Sequence, residues 1–328
     1  MVVCLVLASG FTYSSPIFSD DGDDIYPHLA VGGGWATILT VTNTTDSHWR
    51  IEIYVVGDET GFQRDIPGSN VLFVPINLTV NGHRYCLDSS QDWSGSPRID
   101  LRHPAGPGPP PGCQVDEGGI GRVLGPGENE LGPGDTASFL FESNWSQVQS
   151  GFIVLKGRSG IISTLRYEHR FSNGDIFDSV GVIPNRALGD TDRLLIHVEV
   201  DETKDTGIAF VPRHVELEPR QFENEFHEFS IGIGLYDEQG KQVRFKVLKV
   251  VAHLSKFVSE IFPDVLRRHR RSGPFKGYIA IDGAPFNDPV VAIGLLFERR
   301  RFGWEVTSLP VSPMADRLQT RATKGGGE

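Results

Sequence analysis

Short runs in which apolar and polar residues alternate, each closed by a Gly, Asn, Asp or Pro turn, recur along almost the whole chain. A period of two at that density predicts β-sheet throughout. The sharpest instance is Ile76-Asn77-Leu78-Thr79-Val80, then Asn81-Gly82, then His83-Arg84-Tyr85-Cys86-Leu87. Asn-Gly accepts positive φ at both central positions of a type I′ turn, so it predicts a two-residue hairpin. Pairing across that turn sets Val80 against His83, Leu78 against Tyr85 and Ile76 against Leu87 on one face. Asn77, Thr79, Arg84 and Cys86 fall on the other. A second Asn-Gly, Asn173-Gly174, separates 165–171 from 176–182 and predicts another hairpin. In the second half Phe229, Ile231, Ile233 and Leu235 alternate with polar or small residues, Asp237-Glu238-Gln239-Gly240 turns the chain, and Val243, Phe245 and Val247 alternate again. That is a hairpin expected to have one apolar face.

The two halves repeat. Ile51-Glu52-Ile53 leading to Asp58-Glu59-Thr60-Gly61 parallels Ile231-Gly232-Ile233 leading to Asp237-Glu238-Gln239-Gly240. Further on, 150–155 followed by 160–168 matches 276–281 followed by 290–298, in the same order. Two copies of one unit explain this best. The only helical spacing worth naming is Leu254, Phe257, Val258 and Ile261 within 253–262, stopped by Pro263; its counterpart is 136–142, shorter and poorer in helical signal. Both are expected to be short lids on a sandwich, at most one per unit.

A chain of 328 residues suits two domains. The boundaries expected are a signal peptide over 1–15, β-sandwich domains over 22–188 and 189–313, and a flexible tail over 314–328. The opening run Val2-Val3-Cys4-Leu5-Val6-Leu7-Ala8 resembles the apolar stretch of a signal, although no Lys or Arg precedes it. Nowhere do 18 apolar residues run together, so no membrane span is expected. With the signal removed, Cys86 and Cys113 remain. An even pair in an exported chain predicts a disulfide around the Pro/Gly-rich excursion 105–112, with a metal site the weaker alternative.

Charge excludes one class of partner. The formal net charge is −11, with the whole acidic excess in residues 1–190, which carry 11 Lys+Arg against 22 Asp+Glu. Nucleic-acid binding runs on Lys and Arg displacing counterions, so nucleic acid is not an expected partner.

Tyr26-Pro27-His28-Leu29-Ala30-Val31-Gly32-Gly33-Gly34-Trp35-Ala36-Thr37, followed by Leu39-Thr40-Val41-Thr42-Asn43, resembles the start of an uncharacterised group of bacterial secreted proteins. Phe257 to Pro263, Phe275 to Ile279 and Val291 to Leu295 are similar to the end of the same unit. Those proteins are built from tandem immunoglobulin-like β-sandwiches. The resemblance spans roughly 25–312. It implies that fold and an exported location, at the cell surface or outside the cell, and it brings no activity.

Catalytic signatures are sparse. Gly32-Gly33-Gly34 precedes a Thr-rich strand rather than a helix, so it is expected to bend the backbone beside Trp35 and not to cradle phosphate. There is no HExxH and no Gly-x-Ser-x-Gly, and carboxylate pairs such as Glu223 with Glu225 do not by themselves argue glycoside hydrolysis. Asp20, Asp21, Asp23 and Asp24 are hard oxygen ligands suited to Ca²⁺, though without EF-hand spacing a solvated acidic leader is the plainer reading. Trp93 and Trp145 sit in polar, turn-like contexts and are candidates for stacking on sugar rings, against the plainer reading that they cap sheet edges. Arg267, Arg268, Arg270 and Arg271, with Arg299, Arg300 and Arg301, are the only basic clusters and could form an anion patch if they meet, although solvated loops are the default. No cofactor, metal or enzymatic activity is expected. The expectation is a non-catalytic exported protein, a cell-surface structural or adhesion module whose partner is an envelope protein or a glycan; the alternative is a carbohydrate-binding module using first-domain aromatics.

Overall fold

A computed structural model describes residues 23–50, 53–57, 76–80, 83–87, 130–143, 146–155, 159–171, 174–182, 193–212, 228–251, 253–264, 267, 273–283, 290–301 and 303–313. It is all-β, with antiparallel pairing throughout and one short helix, α1 (Val258–Ile261). The first half supplies β1 (Asp24–Val31), β2 (Trp35–Asn43), β3 (Trp49–Arg50), β4 (Ile53–Gly57), β5 (Ile76–Val80), β6 (His83–Leu87), β7 (Glu130–Leu131), β8 (Thr136–Glu142), β9 (Gln149–Leu155), β10 (Ile161–Arg170) and β11 (Ile176–Val182). The second supplies β12 (Arg193–Val200), β13 (Lys204–Pro212), β14 (Glu228–Asp237), β15 (Gln242–Val251), β16 (Leu254–Phe257), β17 (Phe275–Asp282), β18 (Val290–Arg300), β19 (Gly303–Leu309) and β20 (Val311–Pro313).

Among the described residues each half forms two main sheets, and the first half adds a two-stranded one, β3-β7. The first half has a six-stranded sheet, β11-β10-β2-β8-β5-β6, and a three-stranded one, β1-β9-β4. The second has a four-stranded sheet, β19-β18-β13-β16, and a five-stranded one, β15-β14-β17-β12-β20. Stripped of β5, β6, β15 and β20, the orders coincide: β11-β10-β2-β8 answers β19-β18-β13-β16, and β1-β9-β4 answers β12-β17-β14. The ladders fix the equivalence residue by residue. Leu29 pairs with Gly151 where Val198 pairs with Gly277, and Ile53 pairs with Leu155 where Ile233 pairs with Ile281. The match read from the sequence therefore holds for β4 with β14 and for β9 with β17. For β10 with β18 it is displaced by one residue: Glu168, opposite Ala36, answers Phe297, opposite Asp205, rather than Glu298.

A shared device makes the corner where the chain leaves one sheet for the other. The Thr37 hydroxyl accepts the Ala30 N–H at 3.1 Å and donates to the Ala30 carbonyl at 2.8 Å. Thr206 does the same to Glu199, at 3.0 and 3.1 Å. Both threonines are buried. At the first corner Gly32 and Trp35 exchange both backbone hydrogen bonds, with Gly33 and Gly34 at φ +58° and +87° between them. Positive φ at both central positions is the type I′ geometry that glycine takes without strain, so the glycines do serve the bend beside Trp35. In the immunoglobulin order the first two strands share a sheet. Here β1 and β2 do not, nor do β12 and β13, so the packing is sandwich-like with a different strand order.

The sheets stack so that the three-stranded sheet of the first half faces the four-stranded sheet of the second. β1 is buried along both faces, half-open only at His28. Ala209, Ile293, Leu295 and Val306 of the second half belong to the same apolar cluster as Leu39, Phe139 and Ile153 of the first. A separate cluster, with Ile196, Phe210, Ile233 and Ile281, fills the second sandwich. A hydrogen bond and a ring contact pin the interface too: the Val306 N–H donates to Asp178 Oδ2 at 2.6 Å, and Trp35 packs edge-on against Phe297.

The hairpin at β5–β6 pairs Val80 with His83, Leu78 with Tyr85 and Ile76 with Leu87, the register read from the sequence, and β10–β11 forms the second hairpin. Three expectations are corrected. Residues 136–142 are strand β8, whose Ala137, Phe139 and Phe141 are buried in alternation; the period of two was present in the sequence and outweighs the weak helical spacing. Of 253–262 only Val258–Ile261 is helical, because Leu254–Phe257 completes the edge of β13 as β16 and satisfies its backbone groups in the ladder. In β15 the apolar alternation faces outward. A bulge between Leu235 and Tyr236 sets Phe245 opposite Gly234 and Val247 opposite Gly232, on the outer face, while Leu248 and Val250 take the core side. A one-residue shift in a strand exchanges its faces.

Thr37→Val and Thr206→Val keep the side-chain shape and strand a buried N–H and carbonyl. Each is expected to lower unfolding stability by about 1–3 kcal/mol, measured by urea denaturation, with similar costs at the two equivalent corners.

Candidate functional site

Where the two halves meet they leave a cavity of about 300 Å³. The first half contributes His28, Ala30, Trp35, Ser150 and Tyr167; the second contributes Gly207, Ile293, Leu295, Phe297 and the β16 residues Ser255 to Phe257. The walls are mainly apolar, with Lys256 and Glu260 exposed at the border. His28 reaches the cavity because β1 is irregular between Tyr26 and Leu29, which turns its ring away from the first core.

Around His28 a set of polar groups crosses the interface. Ser255 Oγ lies 3.3 Å from His28 Nδ1, and His253 Nε2 lies 2.9 Å from the Pro27 carbonyl. The His28 and His253 rings stack at 6.5 Å, and Phe152 packs on His253 at 5.9 Å. Tyr167 donates its hydroxyl to the His28 carbonyl at 2.8 Å, its ring 5.4 Å from the imidazole. Burial, aided by the neighbouring His253, pulls the His28 pKa down to about 3. Burial, then Tyr26, pushes the Tyr167 phenol well above its ordinary value. Both groups are neutral at physiological pH. A serine beside a histidine invites comparison with a nucleophile and its base, but a useful base has a pKa near the working pH. An imidazole that protonates only near pH 3 draws little proton from Ser255. The contact is a neutral hydrogen bond that joins the halves.

A second polar cluster lies on the outer face of the six-stranded sheet. Glu168 is only 1% exposed, yet it is ionically held from both sides, by Arg166 at 2.7 Å and Arg170 at 2.6 Å, and Arg170 also reaches Glu142 at 3.3 Å. Arg166, Glu168 and Arg170 share one face of β10, a spacing visible in the sequence but not singled out there.

The residues singled out from the sequence fall as follows. Asp24 is fully buried and its carboxylate accepts the Ser163 hydroxyl, which in turn accepts from Tyr26 at 3.0 Å; this carboxylate serves the core. Asp23 is buried beside it in sequence, and Asp20 and Asp21 lie outside the described residues. Among the described residues no three His, Cys, Asp or Glu side chains gather as a metal site. Arg300 is paired with Glu298 at 2.8 Å and Glu305 at 2.7 Å, and the Glu305 bond, with both carboxylates, raises its pKa further. Arg299, Arg301 and Arg267 are exposed, while Arg268, Arg270 and Arg271 lie outside the described residues, as do Trp93, Trp145, Glu223, Glu225 and Cys113. Cys86 occupies β6 opposite Asn77, which is opposite Glu142 of β8; its pairing with Cys113 also falls outside the described residues. The 1–15 segment does too. No helix among the described residues is long and apolar enough to cross a membrane.

Comparison of the chain with protein-family models, with curated proteins and with solved structures finds no match.

The depressed His28 pKa has a consequence for stability. Between about pH 6.5 and 3 the unfolded chain protonates this imidazole and the folded chain does not, so folding is disfavoured as pH falls through that window and the full stability returns above it. In urea titrations the wild type is expected to lose up to about 1.4 kcal/mol more per pH unit across this window than His28→Gln, in which that proton uptake is absent. Parallel pH dependences of the two proteins would contradict the assignment.

Proposed function

We propose that this protein is a non-catalytic exported module serving cell-surface structure or adhesion. The observation that carries the reading is the interface itself. Two copies of one sandwich are joined through a common apolar cluster, and His28, neutral at physiological pH, is engaged with Ser255 across it. Such a join holds two binding or structural surfaces at a fixed spacing, which is what a scaffold needs and a hinged enzyme cleft does not. Support for export is the apolar leader followed by small polar residues and the resemblance to secreted tandem sandwiches. The immunoglobulin-like kinship we infer is one of tandem two-sheet architecture, since the strand order departs from the immunoglobulin arrangement.

Expression of the full chain in a bacterial host, followed by cell fractionation and N-terminal sequencing, tests the location. The expected result is a protein recovered from the envelope or medium with its leader removed near residue 15. Retention in the cytosol with the leader intact would sink the reading. Ser255→Ala is expected to change no hydrolytic rate in a panel of ester and glycoside substrates, and any turnover abolished by it would reverse the non-catalytic assignment.

A further inference from the structure

The halves are stacked head to tail: the three-stranded sheet of the first meets the four-stranded sheet of the second. Each side of that interface therefore has an equivalent face on which, among the described residues, no further sheet is stacked. The outer face of the five-stranded sheet answers the covered face of β1-β9-β4, and the outer face of the six-stranded sheet answers the covered face of the four-stranded one. A contact between two different faces of one repeating unit can recur indefinitely.

We propose that the protein self-associates head to tail, the outer face of the five-stranded sheet of one copy docking on the outer face of the six-stranded sheet of the next, in the geometry of its internal interface. The inference deepens the structural reading given above; it is tested on purified protein, so its failure leaves the exported location untouched.

The equivalent positions carry the argument. On the five-stranded sheet, His197 stands where His28 does, Tyr278 where Phe152 does and Leu195 where Ile25 does. Tyr278 is 40% exposed, and on β15, two strands away on the same face, Phe245 and Val247 are 51% and 58% exposed, so this face keeps the apolar character of a covered one. On the six-stranded sheet Ser138 stands where Ser255 does, Leu140 where Phe257 does, and Ile162, 56% exposed, where Val291 does.

The differences are complementary. Around the internal cavity the first half offers the small Ala30 and Ser150, and the second offers Leu295 and Phe297. Their equivalents are Glu199 and Lys276 on one outer face and Arg166 and Glu168 on the other. Glu199 and Lys276 lie 3.3 Å apart, and Arg166 and Glu168 lie 2.7 Å apart. The charge left open on the six-stranded face is Arg166, 53% exposed where Glu168 is 1%, and Glu199 on the five-stranded face, 15% exposed between Lys204 and Lys276, can meet it with the opposite sign. Longer side chains would occupy the space that Ala30 and Ser150 leave as a cavity.

Sedimentation velocity of the full chain over a concentration series is the test. The expected result is a sedimentation coefficient that rises with concentration and falls back as salt is added. Arg166→Glu and Glu199→Arg should each weaken association by about tenfold or more, and the two substitutions in one chain should recover most of it, a rescue that misfolding would not produce. Each single variant keeps one unaltered face, and its altered face is complementary in charge to the altered face of the other, so an equimolar mixture of the two should recover the assembly that neither forms alone. Tyr278→Ser, at an exposed position, should weaken association with an unchanged urea midpoint. A chain monomeric to on the order of 1 mM overturns the proposal. So does a dimer sensitive to Glu199→Arg but indifferent to Arg166→Glu, which would mean two five-stranded sheets meeting face to face. A monomer retained on insoluble polysaccharide through Tyr278 would overturn it in favour of a glycan.

Discussion

The structure depends on a sheet that has no free side. The three strands β1, β9 and β4 lie between the six-stranded sheet on one side and the four-stranded sheet on the other, and Ile25, Leu29, Phe152, Ile153 and Val154 are all buried. Ile153 turns to the first core while Phe152 meets His253 across the interface. An antiparallel sheet covered on one face only would show clean alternation; β1 and β9 instead read as nearly continuous apolar runs. Burial of each large apolar side chain is worth about 1.5–3 kcal/mol, so a covered second face is a substantial part of what holds these strands in place. The second half is therefore more than an appended copy, since it supplies the other wall of a sheet that belongs to the first.

This arrangement explains what could and could not be read from the chain. Local grammar was legible wherever a turn fixed the register: Asn81-Gly82 sets the β5–β6 pairing correctly, and the duplication follows from matched runs in matched order. The same grammar misplaces Phe245 and Val247, because a single bulge at Leu235 and Tyr236 moves β15 by one residue and a turn sequence does not announce it. It misplaces 253–262 because an open edge on β13 is a tertiary fact. The cluster at the interface was out of reach for a stronger reason. His28 and Ser255 are 227 residues apart, as Pro27 and His253 are 226 apart, and nothing local in either segment points to the other.

Electrostatics at the interface follow from the same burial. A histidine placed between two apolar sheets must give up its proton or find an anion, and the cavity offers His28 a serine hydroxyl and a second histidine instead. Neutrality lets the ring sit there without a counterion. On the outer face of the six-stranded sheet the opposite solution appears. Glu168 is almost fully covered, and Arg166 and Arg170 flank it on its own strand as ion-pair partners.

The surface that carries Glu168 has its equivalent in the covered face of the four-stranded sheet, and the divergence between those two faces is the informative part of the duplication. Where Glu168 holds its arginines the second half has Phe297, and where Arg166 stands it has Leu295; where Thr164 lies outward it has Ile293. An ancestral unit with one such face could either stack or remain soluble. The second unit has taken the apolar form and is covered; the first has taken the charged form, which water tolerates. A repeat protein that must keep its terminal surface soluble normally makes that surface polar. Here the polar terminal surface carries ordered charge of both signs rather than a uniform field. Such a surface repels copies of itself less than a face of one sign would, and it discriminates between orientations of an approaching copy. In the head-to-tail docking proposed above the same contact would occur twice, in an apolar version inside the chain and in a polar version between chains whose strength is set by salt.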